Sequence, residues 1–191
     1  MRVLISGATG LLGGEVLRQL QMSGRHEVRC FVRRTSRTER LGDVELAYGD
    51  ARNEDSLARA LEGVDAFVHV AGIQHAPQVL PAMRRAGVDR LVVISSTSAH
   101  SRFEHRSGPR LTMEALVQES GLAWTAARPS MIYGSELDHN VHKLLRFLDR
   151  WPAYPVFGPG TNLWQPVYYE DLARGVVAAL ERESAIGQTY D

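Results

Sequence analysis

Val3-Leu4-Ile5-Ser6-Gly7-Ala8-Thr9-Gly10-Leu11-Leu12-Gly13 decides the fold. The apolar run Val3–Ile5 is short and stops at Ser6-Gly7, as a fully buried strand does. From Leu11 to Met22, Leu12, Val16, Leu17 and Leu20 recur at helical spacing, and Gly24 ends the helix. A buried strand running straight into Gly-x-x-Gly-x-x-Gly, with a helix opening on it, is the arrangement of a dinucleotide site. Gly7 permits the tight turn, Gly10 lets the backbone approach a pyrophosphate, and Gly13 lets the helix pack close to the sheet. The unpaired N–H groups of the helix start carry partial positive charge toward the phosphates. Thr9, Leu11 and Leu12 therefore join the three glycines as candidate contacts. The competing reading is a tight strand–helix turn that holds nothing, and three correctly spaced glycines behind a buried strand count against it.

Outward from this loop, short apolar runs alternate with amphipathic segments. Strands are expected at Val28–Val32, Val44–Tyr48, Ala66–Val70, Leu91–Ile94 and Ala123–Ala127. Helices are expected after the capping residue Asn53, over Pro77–Arg85 and over Leu111–Glu119. Further on, Val141–Leu148 carries Val141, Leu144, Leu145 and Leu148 on one stripe. Tyr169–Leu180 reads as a last helix, with Asp171, Ala173 and Arg174 on its polar side or at its start. Gln188–Asp191 could begin another strand. Repeated strand–helix–strand units predict an α/β fold: a doubly wound parallel sheet with helices on both faces. Residues 1–191 are read as one Rossmann domain, with about 130–191 forming the substrate side. Between Trp151 and Pro166, the prolines at 152, 155, 159 and 166 and the glycines at 158 and 160 exclude regular structure. Trp151, Tyr154, Phe157 and Trp164, with Tyr168 just past it, make that stretch an irregular, aromatic wall or, alternatively, packed core.

Composition narrows the function. Hydrophobic residues make up 44 % of the 191, enough for a sizeable core. The formal net charge is +0, so nothing global draws the chain to nucleic acid or to an anionic membrane. No apolar run approaches the roughly 20 residues that span a bilayer. The single cysteine, Cys30, lies in an apolar stretch and reads as a buried, inert thiol in a reducing compartment. A cytoplasmic protein is expected. Its partners are an unspecified small-molecule substrate and, as an assembly, a homodimer. No metal-ligand set stands at useful spacing.

The carboxyl ends of the next strands refine the ligand. NAD-binding sites place an acid about 20 residues past the glycines to hold the ribose 2′-hydroxyl. Here Phe31-Val32-Arg33-Arg34-Thr35-Ser36-Arg37 has no acid and three arginines. Guanidinium groups suit a 2′-phosphate, so Arg33 and Arg34 point to NADP(H), with NAD(H) as the open alternative. A solvated basic loop is the competing reading. Asp50, closing the third strand, can accept from an adenine amino group, with Ala51 beside the ring. Val70, Ala71 and Gly72 leave room for the central ribose and phosphates.

Gly7–Gly13, Gly49-Asp50, Val93-Ile94-Ser95-Ser96-Thr97, Arg128-Pro129-x-x-Ile132-Tyr133-Gly134 and Gln165-Pro166-Val167-x-x-Glu170-Asp171-Leu172-Ala173 resemble the short-chain dehydrogenase/reductase superfamily. The resemblance covers essentially the whole chain. It is nearest to the extended and atypical branches, which hold NmrA-like sensors, NAD(P)H-binding proteins, epimerase/dehydratase-like proteins and relatives of a complex I accessory subunit. The resemblance adds Ser95, Arg110 and Pro129 as cofactor contacts. It also implies a minimal or truncated chain, because relatives continue past Asp191. Catalytic members carry a Ser or Thr after the fifth strand and Tyr-x-x-x-Lys on the next helix, where the tyrosine exchanges a proton as hydride moves. Thr97 matches the first position. Aligned through Glu114 and Ser120-Gly121-Leu122, Arg106 stands for the tyrosine and Arg110 for the lysine. Arginine does not titrate in a useful range.

His105 is then the candidate proton donor beside Thr97, in the loop it shares with His100 and Glu104 near the expected nicotinamide. Tyr133, ending the segment after the sixth strand, and His69 and His75, flanking the exit of the fourth, are other groups that could shuttle a proton. A merely solvated histidine is the competing reading. Two classes stay open. One is an NADP(H)-dependent oxidoreductase or epimerase/dehydratase acting on a small carbonyl or alcohol. The other is a non-catalytic sensor or a structural nucleotide-binding subunit.

Overall fold

The computed structural model describes residues 1–191 apart from Leu137, His139, Asn140, Pro152, Tyr154, Val156, Phe157 and Asn162. The strands are β1 (Arg2–Ser6), β2 (Glu27–Val32), β3 (Glu45–Tyr48), β4 (Ala66–His69), β5 (Arg90–Ile94), β6 (Ala123–Ala127), β7 (Ile132–Tyr133), β8 (Val167–Tyr168) and β9 (Gln188–Tyr190). The helices are α1 (Leu11–Ser23), α2 (Glu54–Leu61), α3 (Ala76–Ala86), α4 (Glu104–Gln118), α5 (Val141–Arg150) and α6 (Tyr169–Glu181).

Seven parallel strands form one sheet in the order β3-β2-β1-β4-β5-β6-β9. This is the doubly wound Rossmann arrangement, with its reversal of strand order between β1 and β4. Val3, Leu4 and Ile5 are fully buried because both faces of β1 are covered. Val3 and Ile5 pack with Leu12, Val16, Leu17 and Leu20 of α1 and Ala173, Val176 and Leu180 of α6. Leu4 points the other way, onto Leu57 and Leu61 of α2 and Val79 and Met83 of α3. Burying each such side chain contributes about 1.5–3 kcal/mol. Asn53 caps α2, its Oδ1 accepting the Ser56 N–H at 2.8 Å.

Three expectations change. Helix α4 starts at Glu104, not Leu111. Gly108-Pro109 does not break it, because Pro109 falls in its second turn and deprives only the carbonyl of exposed His105. Ala173 is on no polar side: it is fully buried, where α6 closes on α1 and the sheet. The segments around Ile132 and Val167, read as motifs with no secondary structure, pair as the parallel ribbon β7-β8, with Ile132 beside Val167 and Tyr133 beside Tyr168. Gly134 makes this possible: at φ +120°, a Cβ there would lie 2.3 Å from the Tyr168 ring.

No helix among the described residues is long and apolar enough to cross a membrane. Cys30 is fully buried, and burial pushes its thiol up to about 12, as an inert core thiol requires.

Candidate functional site

The glycine loop leaves β1 at the strand-order reversal. Gly7 takes φ +77°, and a Cβ on it would sit 3.0 Å from the Ala71 nitrogen, so the β1 and β4 exits are in near contact. A Cβ on Gly13 would lie 2.1 Å from the Gly7 carbonyl oxygen. Gly13 thus lets α1 close on the loop itself, and not only on the sheet. Gly10 differs: its nearest obstacle is the Gly7 oxygen at 3.4 Å, and the residue is exposed. The protein leaves Gly10's space open. Gly10 is also the N-cap of α1 and supplies no capping side chain. The first-turn amides of Leu11, Leu12 and Gly13 therefore meet no side-chain acceptor at the cap, an arrangement suited to an anion.

Beside this loop lies a cleft of about 390 Å³ lined by Gly7, Thr9, Arg33, Ser36, Asp50, Ala51, Arg52, Ala71 and His75, among others. Arg33, expected for the 2′-phosphate, is in it and forms no salt bridge among the described residues. Arg34 is directed elsewhere, its guanidinium 5.7 Å from the centre of the Tyr48 ring. The second arginine of the cleft is Arg52, which the sequence reading missed. It grips Asp50 with Nε at 3.1 Å and Nη2 at 2.8 Å. Hydrogen bonds from Arg52 hold the Asp50 carboxyl far below the usual carboxylate range.

At the β4 exit, fully buried His69 ties the loops together. Its Nε2 lies 3.0 Å from the Gly72 carbonyl oxygen, which can only accept, so Nε2 carries the proton. Nδ1 is then the acceptor for Ser6 Oγ at 2.8 Å, and that hydroxyl accepts in turn from the Ala71 N–H at 3.4 Å. Burial, with His75 beside it, lowers His69 to about 3. Both ring nitrogens are engaged and the ring is neutral, so His69 is a clamp and no proton shuttle. Val70, Ala71 and Gly72 form the loop it holds.

The β5 and β6 exits meet through Pro129, whose carbonyl accepts from the Thr97 N–H at 3.2 Å and from Thr97 Oγ1 at 3.4 Å. Ser95, expected to touch the cofactor, is turned inward: its hydroxyl donates to Glu114 Oε1 at 2.5 Å. Arg128 grips the same carboxylate, with Nη2 2.5 Å from Oε2. On α4, Arg106 is exposed and lies over the Phe103 ring. Arg110 Nη1 donates to Gln74 Oε1 at 3.2 Å, and Gln74 donates to the Ala71 carbonyl at 2.9 Å. The Arg110 cation is thus held at the β4 exit. His105 is exposed in the first turn of α4 against Phe103. His100 pairs with Asp191 at 2.8 Å.

A larger cavity, about 570 Å³, runs along α6 from Thr97, Pro129 and Ser130 to Arg182 and Ala185. It does not include the glycine loop, which is why the smaller cleft is the cofactor candidate. The aromatic wall does not line it: Trp151 and Trp164 are exposed, and Tyr168 packs on Tyr133 and Tyr169. Tyr154 and Phe157 lie outside the described residues. No group of acidic, histidine or cysteine side chains suited to a metal occurs among the described residues.

A sequence profile described as NAD(P)H-binding matches residues 7–143, from the glycine loop through α4 and into α5. The chain belongs to the NAD(P)H-binding family. A second profile, the NAD dependent epimerase/dehydratase family, matches residues 110–191 of this NAD(P)H-binding chain. It is 29 % identical over 196 residues to an NAD(P)H azoreductase of Xenophilus azovorans, covering 98 % of this chain and 66 % of the relative. It is 26 % identical over 213 residues to the mitochondrial NADH dehydrogenase [ubiquinone] 1 alpha subcomplex subunit 9 of Arabidopsis thaliana, covering 98 % of this chain. The chain spans about half of that subunit's length, 52 %. The Citrobacter triphenylmethane reductase, solved with NADP(H), shares the fold at TM-score 0.82 and 24 % identity, over 100 % of this chain and 69 % of that one. The resemblance to atypical short-chain dehydrogenases/reductases is thereby borne out. The site residues of this NAD(P)H-binding protein suit the cofactor: an open Gly10, an uncapped α1 and a cationic cleft at the β2 and β3 exits.

Proposed function

We propose that the chain is the cofactor-binding body of a cytoplasmic reductase that prefers NADP(H) to NAD(H) and reduces a small-molecule acceptor. The observation that carries this reading is Arg33, a guanidinium with no salt bridge among the described residues, in the cleft beside Ser36, where β2 ends without an acid. A guanidinium outside any salt bridge there matches a 2′-phosphate in charge and in donor geometry. The cofactor, when bound, supplies hydride.

The chain's own groups constrain the acceptor. Helix α4 offers arginine where a tyrosine acid would stand, and arginine cannot give up its proton. Thr97 can orient an acceptor oxygen, but its hydroxyl is too weakly acidic to protonate one. An electron-poor conjugated acceptor, such as an azo compound or a quinone, takes hydride and collects its proton from water. A reductase of that kind fits these residues better than one for simple ketones. The azoreductase relative, by its name, is consistent with that class.

A second reading, a subunit that holds the nucleotide without turnover, is favoured by one observation. Arg106 is stacked on Phe103 and Arg110 is tied to Gln74, so the two positions that would carry catalysis do other things.

Calorimetry of NADPH and NADH on wild type and Arg33→Ala tests the preference. A charge-assisted contact contributes about 1.5–3 kcal/mol, so tenfold or more in NADPH affinity should be lost in the variant. Equal affinities in wild type would refute it. Stopped-flow NADPH oxidation against azo dyes, quinones, aldehydes and ketones separates the two readings. Turnover confined to the first two supports the reductase, and none with clear NADPH binding supports the holding subunit. Turnover on ketones that collapses in Thr97→Ala or His105→Ala would restore a proton donor in that loop.

A further inference from the structure

The β3 exit is tightly built. A Cβ on Gly49 would lie 2.5 Å from the Phe31 ring and 2.7 Å from Ser56 Oγ, so the chain passes flush against both. Ser56 Oγ accepts the Asp50 N–H at 3.2 Å and is within 3.0 Å of the Asp50 carbonyl. On that base the Asp50 carboxylate takes three hydrogen bonds from one residue. The Arg52 N–H reaches Oδ1 at 2.9 Å and Nε reaches it at 3.1 Å, while Nη2 reaches Oδ2 at 2.8 Å. The contact is two-pronged and charge-assisted, the strongest form of such a pair. It is also local, two residues apart, so little chain order is spent on it.

Asp50, Arg52 and Arg33 line the same cleft. A bare carboxylate there would oppose a ligand that carries an extra phosphate. With Arg52 absent, the charges of Asp50 and Arg33 cancel. With Arg52 in place, one positive charge remains in surplus. NAD(H) lacks the extra phosphate and is less sensitive to this balance.

We propose that Arg52 is a specificity-determining residue: by cancelling the Asp50 charge it lets the cleft accept the 2′-phosphate of NADP(H), acting on the field in the cleft without itself gripping that phosphate. This rests on the reading of Arg33 as the phosphate's partner.

The experiment measures NADPH and NADH dissociation constants by calorimetry on wild type, Arg52→Met, Arg33→Ala and the double variant Arg52→Met/Asp50→Asn. The ratio of the two constants cancels any loss of folded protein. Arg52→Met should lower the NADPH preference about fivefold, a size suited to one unit charge acting across a solvated cleft. The double variant should regain the preference. The effect of Arg52→Met should shrink at high salt, where the screening length falls to about 3 Å. An unchanged preference in Arg52→Met overturns the inference. So does a double variant as poor as the single one, which would mean that Arg52 holds the phosphate directly. A wild type with no preference overturns both this inference and the reading beneath it. A preference that Arg33→Ala abolishes and Arg52→Met leaves intact overturns this inference alone.

Discussion

Ser6 Oγ donates to His69 Nδ1 across 2.8 Å, joining residues 63 apart in sequence at the ends of two adjacent strands. The ring's other nitrogen donates to Gly72, so a single imidazole fixes the distance between the loop that leaves β1 and the loop that leaves β4. The cleft proposed for the cofactor lies beside those loops.

This clamp has a pH signature. Burial lowers His69 to about 3, well under the ordinary histidine value. Between about 6.5 and about 3, the unfolded chain binds a proton that the folded chain refuses, so stability falls as pH falls, by up to roughly 1.4 kcal/mol per pH unit from this group. Urea unfolding from pH 7 to pH 4 should show a shallower decline in His69→Asn than in wild type. Parallel slopes would mean that the ring is not held neutral.

Gly10 and Gly13 should respond in opposite ways. A Cβ at 13 meets the Gly7 backbone at 2.1 Å, a collision that no side-chain rotation relieves. Gly13→Ala should destabilise by about 1–3 kcal/mol or more, read from thermal melting. A Cβ at 10 finds only an ordinary contact, so Gly10→Val should melt near wild type yet lose dinucleotide affinity by calorimetry. Unchanged binding in the folded Gly10 variant would remove the loop from the cofactor site.

The Glu114 side chain is 3 % exposed and holds Arg128 and Ser95 together. Burial pushes its carboxyl up, but the hydrogen bonds from Arg128 and Ser95 outweigh burial and hold it below the usual glutamate value. A lowered carboxylate contributes stability that is present above the unfolded value and is lost as pH falls through the folded one. Glu114→Ala leaves the half-buried Arg128 guanidinium with only the longer contact to Asp191, at 3.7 Å, and should cost about 3 kcal/mol in denaturant unfolding. A cost below about 1 kcal/mol would show that water solvates Arg128 freely.

Cys30 should be silent in the native protein. With its thiol raised to about 12, the thiolate is scarce at pH 8, and the side chain is fully buried. A colourimetric thiol reagent should react only after denaturant is added. Fast labelling of native protein would place Cys30 at an opening in the sheet.

Much of the architecture was legible because β1, β2, β4 and β5 carry apolar runs closed by a turn, and α1, α2, α3 and α6 each show a buried stripe. The start of α4 was not, because Gly108-Pro109 looks like a break to any local rule. Helix α5 was legible as a helix with a stripe of Val141, Leu144, Leu145 and Leu148. The stripe alone did not tell that Leu145 and Leu148 would stay exposed, since exposure depends on what packs against a helix. Arg33 lines the cleft beside the glycine loop, as the end of β2 predicts, whereas Arg34 next to it turns onto Tyr48, a residue on another strand.

By itself the sequence determined the order of the elements of the main sheet and its helices, the glycine loop and the basic end of β2. These follow from patterns within a dozen residues, where backbone geometry and burial act locally. Only the tertiary structure decided which polar groups meet. Ser6 finds His69 because the parallel sheet sets the ends of β1 and β4 side by side, and Arg128 finds Glu114 because α4 packs beside the exit of β6. Arg52 is the instructive case. It stands two residues from Asp50 in the chain, yet its grip on that carboxylate depends on the turn that Gly49, Phe31 and Ser56 impose, and that turn exists only when β2, β3 and α2 are packed.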